Sequence, residues 1–387
     1  MLYCSCMIFG QVIQDQDQLY FYVAFLSLFL IQMIFFWGIF SGFVFSRKKS
    51  YSDTSLPVSV VICARNEYYN LEKNLPAILE QDYPNFEVIV VNDESDDDTV
   101  GLLNDLSRKY PNLIILNTEK NSNFFNGKKF SLSLGIKSAH HEIVLLTDAD
   151  CQPVSKNWIK EMQAPFSRAA TDIVLGYGAY EPRKGLLDKL IRYDTLSIAL
   201  QYFSFAKCKM PYMGVGRNLA YRKSLFMKSK GFVSHYHVNS GDDDLFINQN
   251  ATSKNTAIVF LPESHTISES KRTFNEWFFQ KKRHLTTGKY YKWWHKSLLT
   301  LLPLSTLGFY SLPVFILLFY RNFMTLIIIG SVIFLRLITQ LFIVKKAMIK
   351  LKERNLLLFS PFYEIYFIFF NTLLMLSNTG KQQNRWK

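Results

Sequence analysis

Long apolar stretches lie at the two ends of this chain, and short apolar runs alternate with helical patterns in its middle. Leu19 to Phe45 covers 27 residues without a charged side chain, which is enough to cross a bilayer with some tilt. Arg47, Lys48 and Lys49 follow directly, and such basic residues favour the cytosolic side. A cleaved signal peptide is the alternative, but no basic segment precedes the run and no small-residue cleavage pattern follows it. We predict a transmembrane helix over 19–45, after an N-terminal segment, 1–18, to which the sequence assigns no role.

A second membrane region is predicted over residues 298–376. If all of its apolar segments cross, the basic tail 377–387 lies outside, against the preference of Lys and Arg for the cytosol. The last segment, which contains Pro361 and Glu364, therefore either crosses or lies in the interface, and two to three spans stay open. Arg336 is costly in hydrocarbon unless it contacts protein or a lipid phosphate. The segments are Leu298–Phe319, Phe323–Val344 and Leu356–Leu376.

The middle of the chain, residues 50–295, shows strand-length apolar runs that alternate with helical patterns. This alternation is typical of an α/β domain with a mostly parallel sheet and right-handed crossovers. The loops that follow the strands carry acids, which we expect at the sheet edge where ligands bind. Predicted strands are Val58–Cys63, Phe86–Val91, Leu113–Leu116, Ile143–Thr147 and Ile173–Tyr177, and predicted helices are Tyr68–Leu79, Thr99–Tyr110, Gly127–Ala139 and Lys184–Phe205.

Two carboxylates, Asp148 and Asp150, follow one of these buried strands. In an extended segment, side chains two residues apart point to the same side. The pair can therefore converge on one divalent cation, and its hard oxygen ligands suit Mg²⁺ or Mn²⁺, which would clamp a diphosphate. The alternative interpretation is an Asp-rich turn after a strand.

Other candidate groups stand at strand and helix ends. Asp93 follows the second strand, where it is either a turn residue or a contact to a nucleotide base or ribose. Lys128 opens a helix after Gly127, where it either attracts phosphate or is an ordinary solvated lysine. Arg283 offers the planar fork that suits a diphosphate, although basic residues near a membrane also meet anionic lipid.

Three consecutive acids, Asp242, Asp243 and Asp244, precede a predicted helix. One interpretation is that they satisfy the free N–H groups of the helix N-terminus. The other is that one of them is a general base that takes a proton from an acceptor hydroxyl, with neighbouring carboxylates keeping its pKa high.

Composition narrows the choice of partners. The net charge is +13, but the basic residues flank apolar spans, so anionic headgroups explain them better than nucleic acid does. Five cysteines without paired spacing predict neither a disulfide framework nor a zinc site, which indicates a reducing compartment.

Taken in order, the motifs of the chain resemble those of a membrane-bound family 2 glycosyltransferase of the synthase-like branch. This branch includes cellulose, hyaluronan and ceramide glycosyltransferases. The resemblance covers roughly 57–295 and implies a GT-A fold, a nucleotide-diphospho-sugar-binding α/β domain, between the N-terminal and C-terminal transmembrane helices. The motifs are Ala64-Arg65-Asn66-Glu67, Asn92-Asp93-Glu94-Ser95, Gly127-Lys128, Asp148-Ala149-Asp150, Gly241-Asp242-Asp243-Asp244-Leu245 and Gln280-x-x-Arg283-His284.

The resemblance implies a role for each nucleotide-site residue. Ala64, Glu67 and Asp93 would hold the base and ribose, and Lys128 would lie near the nucleotide. Asp148 and Asp150 would form the D-x-D pair, with Asp150 the direct ligand of a divalent cation, Mn²⁺ or Mg²⁺.

The resemblance also implies catalytic residues. Alignment on the leucine three residues after the base places Asp242 there, with Asp243 as the second choice and Gly241 where the family often has Glu. Gln280 and Arg283 match the Gln-x-x-Arg-Trp motif. His284 replaces its tryptophan, an aromatic that borders the acceptor site in polymerising members.

The implied reaction is inverting sugar transfer by single displacement, of hexosyl or N-acetylhexosaminyl type. Asp242 would deprotonate the acceptor, while the metal and Arg283 stabilise the departing nucleoside diphosphate. The donor would be a nucleotide-diphosphate sugar, expected to be a uridine diphosphate sugar, and the acceptor a lipid or glycan at the membrane. The protein would lie in the inner or plasma membrane with its catalytic domain cytosolic. The alternatives are a processive polysaccharide synthase and, from a different class, a non-catalytic membrane scaffold.

Overall fold

A seven-stranded sheet forms the centre of the molecule in this computed structural model, which describes residues 2–52, 54–118, 127–238 and 240–377, with side chains from residue 17 to 374. The strands are β1 (Val58–Ala64), β2 (Phe86–Asn92), β3 (Leu113–Asn117), β4 (Ile143–Leu146), β5 (Cys151–Pro153), β6 (Ile173–Leu175), β7 (Gly178–Tyr180), β8 (Leu219–Arg222), β9 (Thr256–Ile258) and β10 (Thr266–Ser268). The large sheet has the order β3-β2-β1-β4-β8-β6-β9, and a small sheet has the order β5-β10-β7.

Helices surround the large sheet and extend from it. The helices are α1 (Leu2–Met33), which continues through a π-helical stretch, Ile34–Phe40, into α2 (Ser41–Val44), then α3 (Tyr68–Leu79), α4 (Thr99–Lys109), α5 (Lys128–Ser138), α6 (Trp158–Gln163), α7 (Leu186–Lys207), α8 (Lys223–Lys228), α9 (Asp244–Asn250), α10 (Phe274–Leu285), α11 (Trp293–Phe319), α12 (Phe323–Lys350) and α13 (Ser360–Ser377). The predicted strands and helices of the middle region are all present, with ends shifted by a few residues.

The order of the strands places a ligand crevice at one edge of the sheet. The strands β1 to β4 are mutually parallel, which confirms the predicted mostly parallel sheet. The chain runs from β1 outward through β2 and β3 and then returns to the other side of β1 as β4. Such a switch point opens a crevice beyond the carboxyl ends of the strands. The antiparallel strand β8, between β4 and β6, was not predicted.

Both faces of the sheet are covered, which explains the continuous apolar runs. All seven residues of β1 are buried. Leu71, Leu103 and Trp158, from α3, α4 and α6, pack on one face, and Ile136 of α5 packs on the other. A strand buried on both faces has no polar alternation, so apolar residues occupy successive positions. Full burial of each such side chain contributes about 1.5–3 kcal/mol.

Four helices are long and apolar enough to cross a membrane, among the residues that the structure describes: Asp17–Val44, Trp293–Phe319, Phe323–Lys350 and Leu357–Leu374. The helix that contains the predicted span 19–45 begins at Leu2, so it is longer than predicted. Pro361, in the last predicted segment, does not interrupt α13. Proline stands in the first turn of α13, where its missing N–H would have no intrahelical partner in any case. The tail from residue 378 onward lies outside the described residues.

Arg336 joins four of the apolar helices from the inside. Its side chain is 1% exposed, and one guanidinium nitrogen lies 2.6 Å from Glu364 Oε1 and 3.0 Å from Gln32 Oε1. The other donates to the Tyr310 hydroxyl over 3.0 Å and to Gln340. An intramembrane charge must be paired in this way to be tolerated. Of the two roles predicted for Arg336, the structure supports the contact with protein.

A buried ion pair attaches the sheet domain to the turn after α12. Glu353 Oε2 accepts from the Arg192 guanidinium of α7, and both side chains are less than 5% exposed. The Tyr177 hydroxyl donates to the other oxygen, Glu353 Oε1, over 3.0 Å. All three groups are buried, so each depends on the others for its hydrogen bonds.

We expect Tyr177→Phe to lower the free energy of unfolding by about 1.5–3 kcal/mol, because it leaves a buried carboxylate oxygen without its donor. Denaturant unfolding of the purified protein in detergent measures this. Tyr69→Phe, at a side chain 81% exposed, is the control and should leave the free energy of unfolding within about 0.5 kcal/mol of the wild type. Equal stability of both variants would show that Tyr177 does not support the ion pair.

Candidate active site

The loops after β1 and β2 are joined directly at the crevice. Ala64, the last residue of β1, accepts a hydrogen bond from the Asp93 backbone N–H over 2.7 Å. Asn66 lies in the left-handed region at φ 53°, and its side chain accepts from the Asp96 N–H over 2.7 Å. Glu67 is the N-cap residue of α3 and donates its backbone N–H to Thr99 Oγ1 over 3.2 Å. The structure thus brings Ala64, Glu67 and Asp93 together.

Asp93 is buried, and its two carboxylate oxygens differ in their hydrogen bonding. Its side chain accepts hydrogen bonds at Oδ1 from Ser131 Oγ over 2.6 Å and from Thr118 Oγ1 over 3.2 Å. Oδ2 is buried and has no hydrogen-bond partner among the described residues. A buried acceptor without a donor is costly, so it suits a ligand that brings an N–H or O–H group.

Lys128 connects the two acidic motifs. Its ammonium lies 2.6 Å from Asp148 Oδ1 and 3.4 Å from Asp242 Oδ2. Burial disfavours the charged form, but these two carboxylates outweigh it and raise the pKa of Lys128. Lys128 therefore stays charged and holds the D-x-D motif beside the acid run. The family resemblance implies Lys128 near a nucleotide, and its contact with Asp148 and Asp242 was not predicted.

The three consecutive acids are in different environments. Burial raises the pKa of Asp242, but Lys128 and Lys129 outweigh it, so the net pKa is lowered. The expectation that neighbouring acids keep the pKa of one acid high therefore does not hold for Asp242. Burial, with Asp242 and Asp244 beside it, raises the pKa of Asp243 to about 7. Asp243 is also the N-cap of α9 and accepts from the N–H groups of Asp244 and Gly216, each over 2.7 Å.

Gly241 explains one departure from the family pattern. Its φ is +96°, which L side chains rarely adopt, and an added Cβ would lie 2.5 Å from Leu245 Cδ1. The turn that presents Asp242 and Asp243 therefore requires glycine where the family often has Glu.

The D-x-D pair lies between β4 and β5 and fits a divalent cation. Ligand atoms of Asp148, Asp150 and Cys151 lie within 4.8 Å of one another. Burial and the adjacent Asp148 raise the pKa of Asp150, and Arg217 opposes that rise. Burial also raises the pKa of the Cys151 thiol, which keeps it protonated and a weak ligand. The carboxylates are thus the effective donors, and a hard cation would relieve their mutual repulsion.

Gln280 and Arg283 lie on α10, beside the small sheet. The Gln280 side chain hydrogen-bonds to the Tyr180 hydroxyl at the end of β7. The guanidinium carbon of Arg217 lies 4.3 Å from the centre of the Tyr180 ring. Gln280 is therefore linked through Tyr180 to Arg217, whose charge acts on Asp150 of the D-x-D pair. Arg283, three residues later on the same helix, is exposed.

Comparisons with known proteins identify the part of the chain that carries Asp93, Lys128 and the D-x-D pair. The family model described as "Glycosyl transferase family 2" matches residues 59–228. Residues 59–228 are a family 2 glycosyltransferase domain. This confirms the family that the motifs predicted.

Two curated relatives and one solved structure resemble the chain. Glycosyltransferase AglE of Haloferax volcanii is 30% identical over 179 residues, 45% of this chain and 54% of the relative. Beta-monoglucosyldiacylglycerol synthase of Trichormus variabilis is 31% identical over 136 residues, which are 33% of this chain and 29% of the relative. The chain thus spans about half or less of these relatives. The mannosyltransferase PcManGT from Pyrobaculum calidifontis, solved with GDP-Man and Mn²⁺, has a TM-score of 0.56 at 18% identity, over 86% of this chain and 98% of that one. This likeness supports the GT-A fold.

Sequence reasoning missed two residues of the glycosyltransferase domain that border the crevice. Arg217 donates to the carbonyls of Gly178 and Ala179 and to Ser268 Oγ, so it joins β7 and β10 beside the D-x-D pair. Cys63 lines the same small pocket as Lys128, Asp148, Asp242 and Asp243. The only sequence signal for Arg217 was its place in a glycine-containing turn, and for Cys63 its place at the end of a strand.

Proposed function

We propose that this protein is an inverting glycosyltransferase that moves a sugar from a nucleotide-diphosphate sugar to a lipid or membrane-proximal acceptor. The observation that carries the proposal is the convergence of Asp148 and Asp242 on one lysine, Lys128, at the switch point of the sheet. A donor-binding motif and a candidate base thus lie side by side, as a single displacement between donor and acceptor requires.

The nucleotide would bind across the ends of β1 and β2. Asp93 Oδ2, buried without a donor among the described residues, suits an N–H of the base or an O–H of the ribose. Ala64 and Glu67 border the same place. Asp150 and Asp148 would hold a divalent cation, Mn²⁺ or Mg²⁺, on the diphosphate. That cation supplies charge stabilisation for the departing nucleoside diphosphate.

On the acceptor side, Asp242 would remove the proton of the attacking hydroxyl, and Asp243 is the second choice. Arg283, with Gln280 one turn earlier, would add positive charge for the leaving group. The lipid or membrane-proximal acceptor is supported by the four helices able to cross a membrane and by a relative whose name describes a glucosyl diacylglycerol product. The domain would then face the cytosol, where Arg47, Lys48 and Lys49 follow the first span.

The test is transfer in purified membranes supplied with a panel of nucleotide sugars and Mn²⁺ or Mg²⁺. We expect a labelled lipid product that requires the metal, with inversion at the anomeric carbon visible by NMR. A long polymer would instead establish a processive synthase. Neither turnover nor donor binding with any sugar nucleotide would overturn the proposal and favour a scaffold.

The pH dependence of transfer follows from Asp243. With its pKa raised to about 7, this carboxyl is neutral at lower pH and charged at higher pH, so activity should decrease as the pH falls through about 7. Charge on Asp243 makes the adjacent Asp242 a stronger base. We expect kcat/KM of the wild type to rise through about pH 7.

Asp243→Asn separates the two candidate bases, because Asn still caps α9 but does not titrate. If Asp242 is the base, this variant keeps the lower activity that the wild type shows below pH 7, where Asp243 is neutral, and its pH profile is flat. If Asp243 is the base, the variant is inactive at every pH. A wild-type profile that is flat between pH 5 and 8 would show that Asp243 does not titrate near 7.

A further inference from the structure

Asp244, the third acid of the run, is not among the residues that line the small pocket and instead contacts the segment before α11. Its side chain is buried, and Oδ2 accepts a hydrogen bond from the Tyr291 hydroxyl over 2.7 Å and another from the Thr287 hydroxyl. Oδ1 accepts the Leu245 N–H over 2.7 Å. All of these donors come from the protein, so contacts within the chain hold the Asp244 carboxylate in place.

Asn248, one turn later on α9, contacts the same segment. Its side-chain oxygen accepts the Lys292 N–H over 3.0 Å, and its nitrogen lies 3.1 Å from His295 Nδ1. The same nitrogen donates to the Tyr212 carbonyl over 2.9 Å. Asp244 and Asn248 are four residues apart and therefore share one face of α9. Their contact partners Thr287, Tyr291 and His295 are spaced four residues apart in the segment that leads into α11.

These contacts connect the acidic loop, residues 241–244, to the first turn of α11. α11 begins at Trp293 and is one of the helices long enough to cross a membrane. Trp293 is 76% exposed and Tyr290 is 41% exposed, as expected for aromatic residues at a membrane interface. The segment 287–295 thus lies between the membrane region and the acids, and Asp243 stands next to Asp244 in the chain.

We propose that Asp244 and Asn248 are positioning residues that latch the acidic loop to the base of α11, so that the membrane span sets the position of Asp242 and Asp243. This inference rests on the proposed function for its catalytic consequence. The latch itself is a matter of structure and can be tested without turnover.

The test uses the double variant Thr287→Val with Tyr291→Phe. It removes the two hydroxyl groups that donate to Asp244 Oδ2 and nearly keeps the shapes of the two side chains. Hydrogen exchange of peptides from residues 241–250 should become about tenfold faster. In the transfer assay, kcat should fall about 10- to 100-fold, because a misplaced base costs rate, while the KM for the donor stays within about twofold. Thr287→Ser alone, which keeps the hydroxyl, should behave as the wild type.

The matched control is Thr286→Val with Tyr290→Phe, the same two substitutions one residue earlier. The Thr286 hydroxyl donates to the Arg283 carbonyl, and the Tyr290 ring, which Phe retains, packs on His237. This control should leave exchange over 241–250 and kcat unchanged. Equal exchange over 241–250 in the latch variant and the wild type would overturn the latch. If the wild type transfers no sugar, the proposed function fails, and hydrogen exchange still decides the latch.

Discussion

Asp242→Asn is expected to lower the kcat of sugar transfer by about 10²–10⁴-fold, the usual contribution of a positioned general base. Asn has nearly the same shape but cannot take the proton of the acceptor hydroxyl. The loss should appear in kcat, because Asp242 would act on the acceptor after the donor has bound. Initial rates over a range of donor concentrations, with the acceptor saturating, measure the two parameters separately.

Asp242→Asn also changes the charge environment of Lys128. Removing the Asp242 charge leaves Lys128 with Asp148 alone, so donor affinity can also change. We expect the KM for the donor to change by no more than about threefold, since Asp148 remains as the partner of Lys128 at 2.6 Å. Asp105→Asn, at an exposed carboxylate, is the matched control and should be fully active. Full activity of Asp242→Asn together with an inactive Asp243→Asn would move the base to Asp243.

Asp150→Asn should cost about 10²–10⁴-fold in kcat/KM at a fixed concentration of Mn²⁺, because a metal contributes several kcal/mol of charge stabilisation in the transition state. An amide oxygen is a weaker ligand than a carboxylate, so the main effect is on metal affinity. Raising the Mn²⁺ concentration should therefore recover part of the activity.

Direct binding gives the metal prediction a second measurement. Electron paramagnetic resonance of free Mn²⁺, in the presence of the nucleoside diphosphate, should show weaker binding to Asp150→Asn than to the wild type. Chelation should abolish wild-type transfer, and added Mn²⁺ should restore it. Unchanged Mn²⁺ affinity in Asp150→Asn would exclude Asp150 as a metal ligand. Asp105→Asn again serves as the control at an exposed position.

Several features of the site could be predicted from short stretches of sequence. Asp148 and Asp150 were placed at a sheet edge because a continuous apolar run must be a buried strand, and its polar end must lie beyond the sheet. Asp93 was placed at the same edge because parallel strands all end on one side. These inferences need only local patterns, and the parallel sheet bears out the placement.

Other features depend on pairs of residues far apart in the chain. Lys128 lies 114 positions before Asp242, and no local pattern predicts that they pair at 3.4 Å. The pKa values of Asp242 and Asp243 move in opposite directions because one meets lysines and the other is buried between acids. Charge environment is set by tertiary neighbours, so the pKa rise expected from neighbouring acids is found at Asp243 and not at Asp242.

The sequence by itself determined the order of the elements, the parallel sheet, the apolar helices and the family. These follow from hydrophobic periodicity and from motifs, which are local properties of the chain. Only the tertiary structure decided that Arg336 is paired inside the apolar helices, that Arg217 stands beside the D-x-D pair, and that α9 is hydrogen-bonded to the base of α11. Each of these depends on which distant side chains the packed core brings within hydrogen-bond distance, and burial then makes those contacts obligatory.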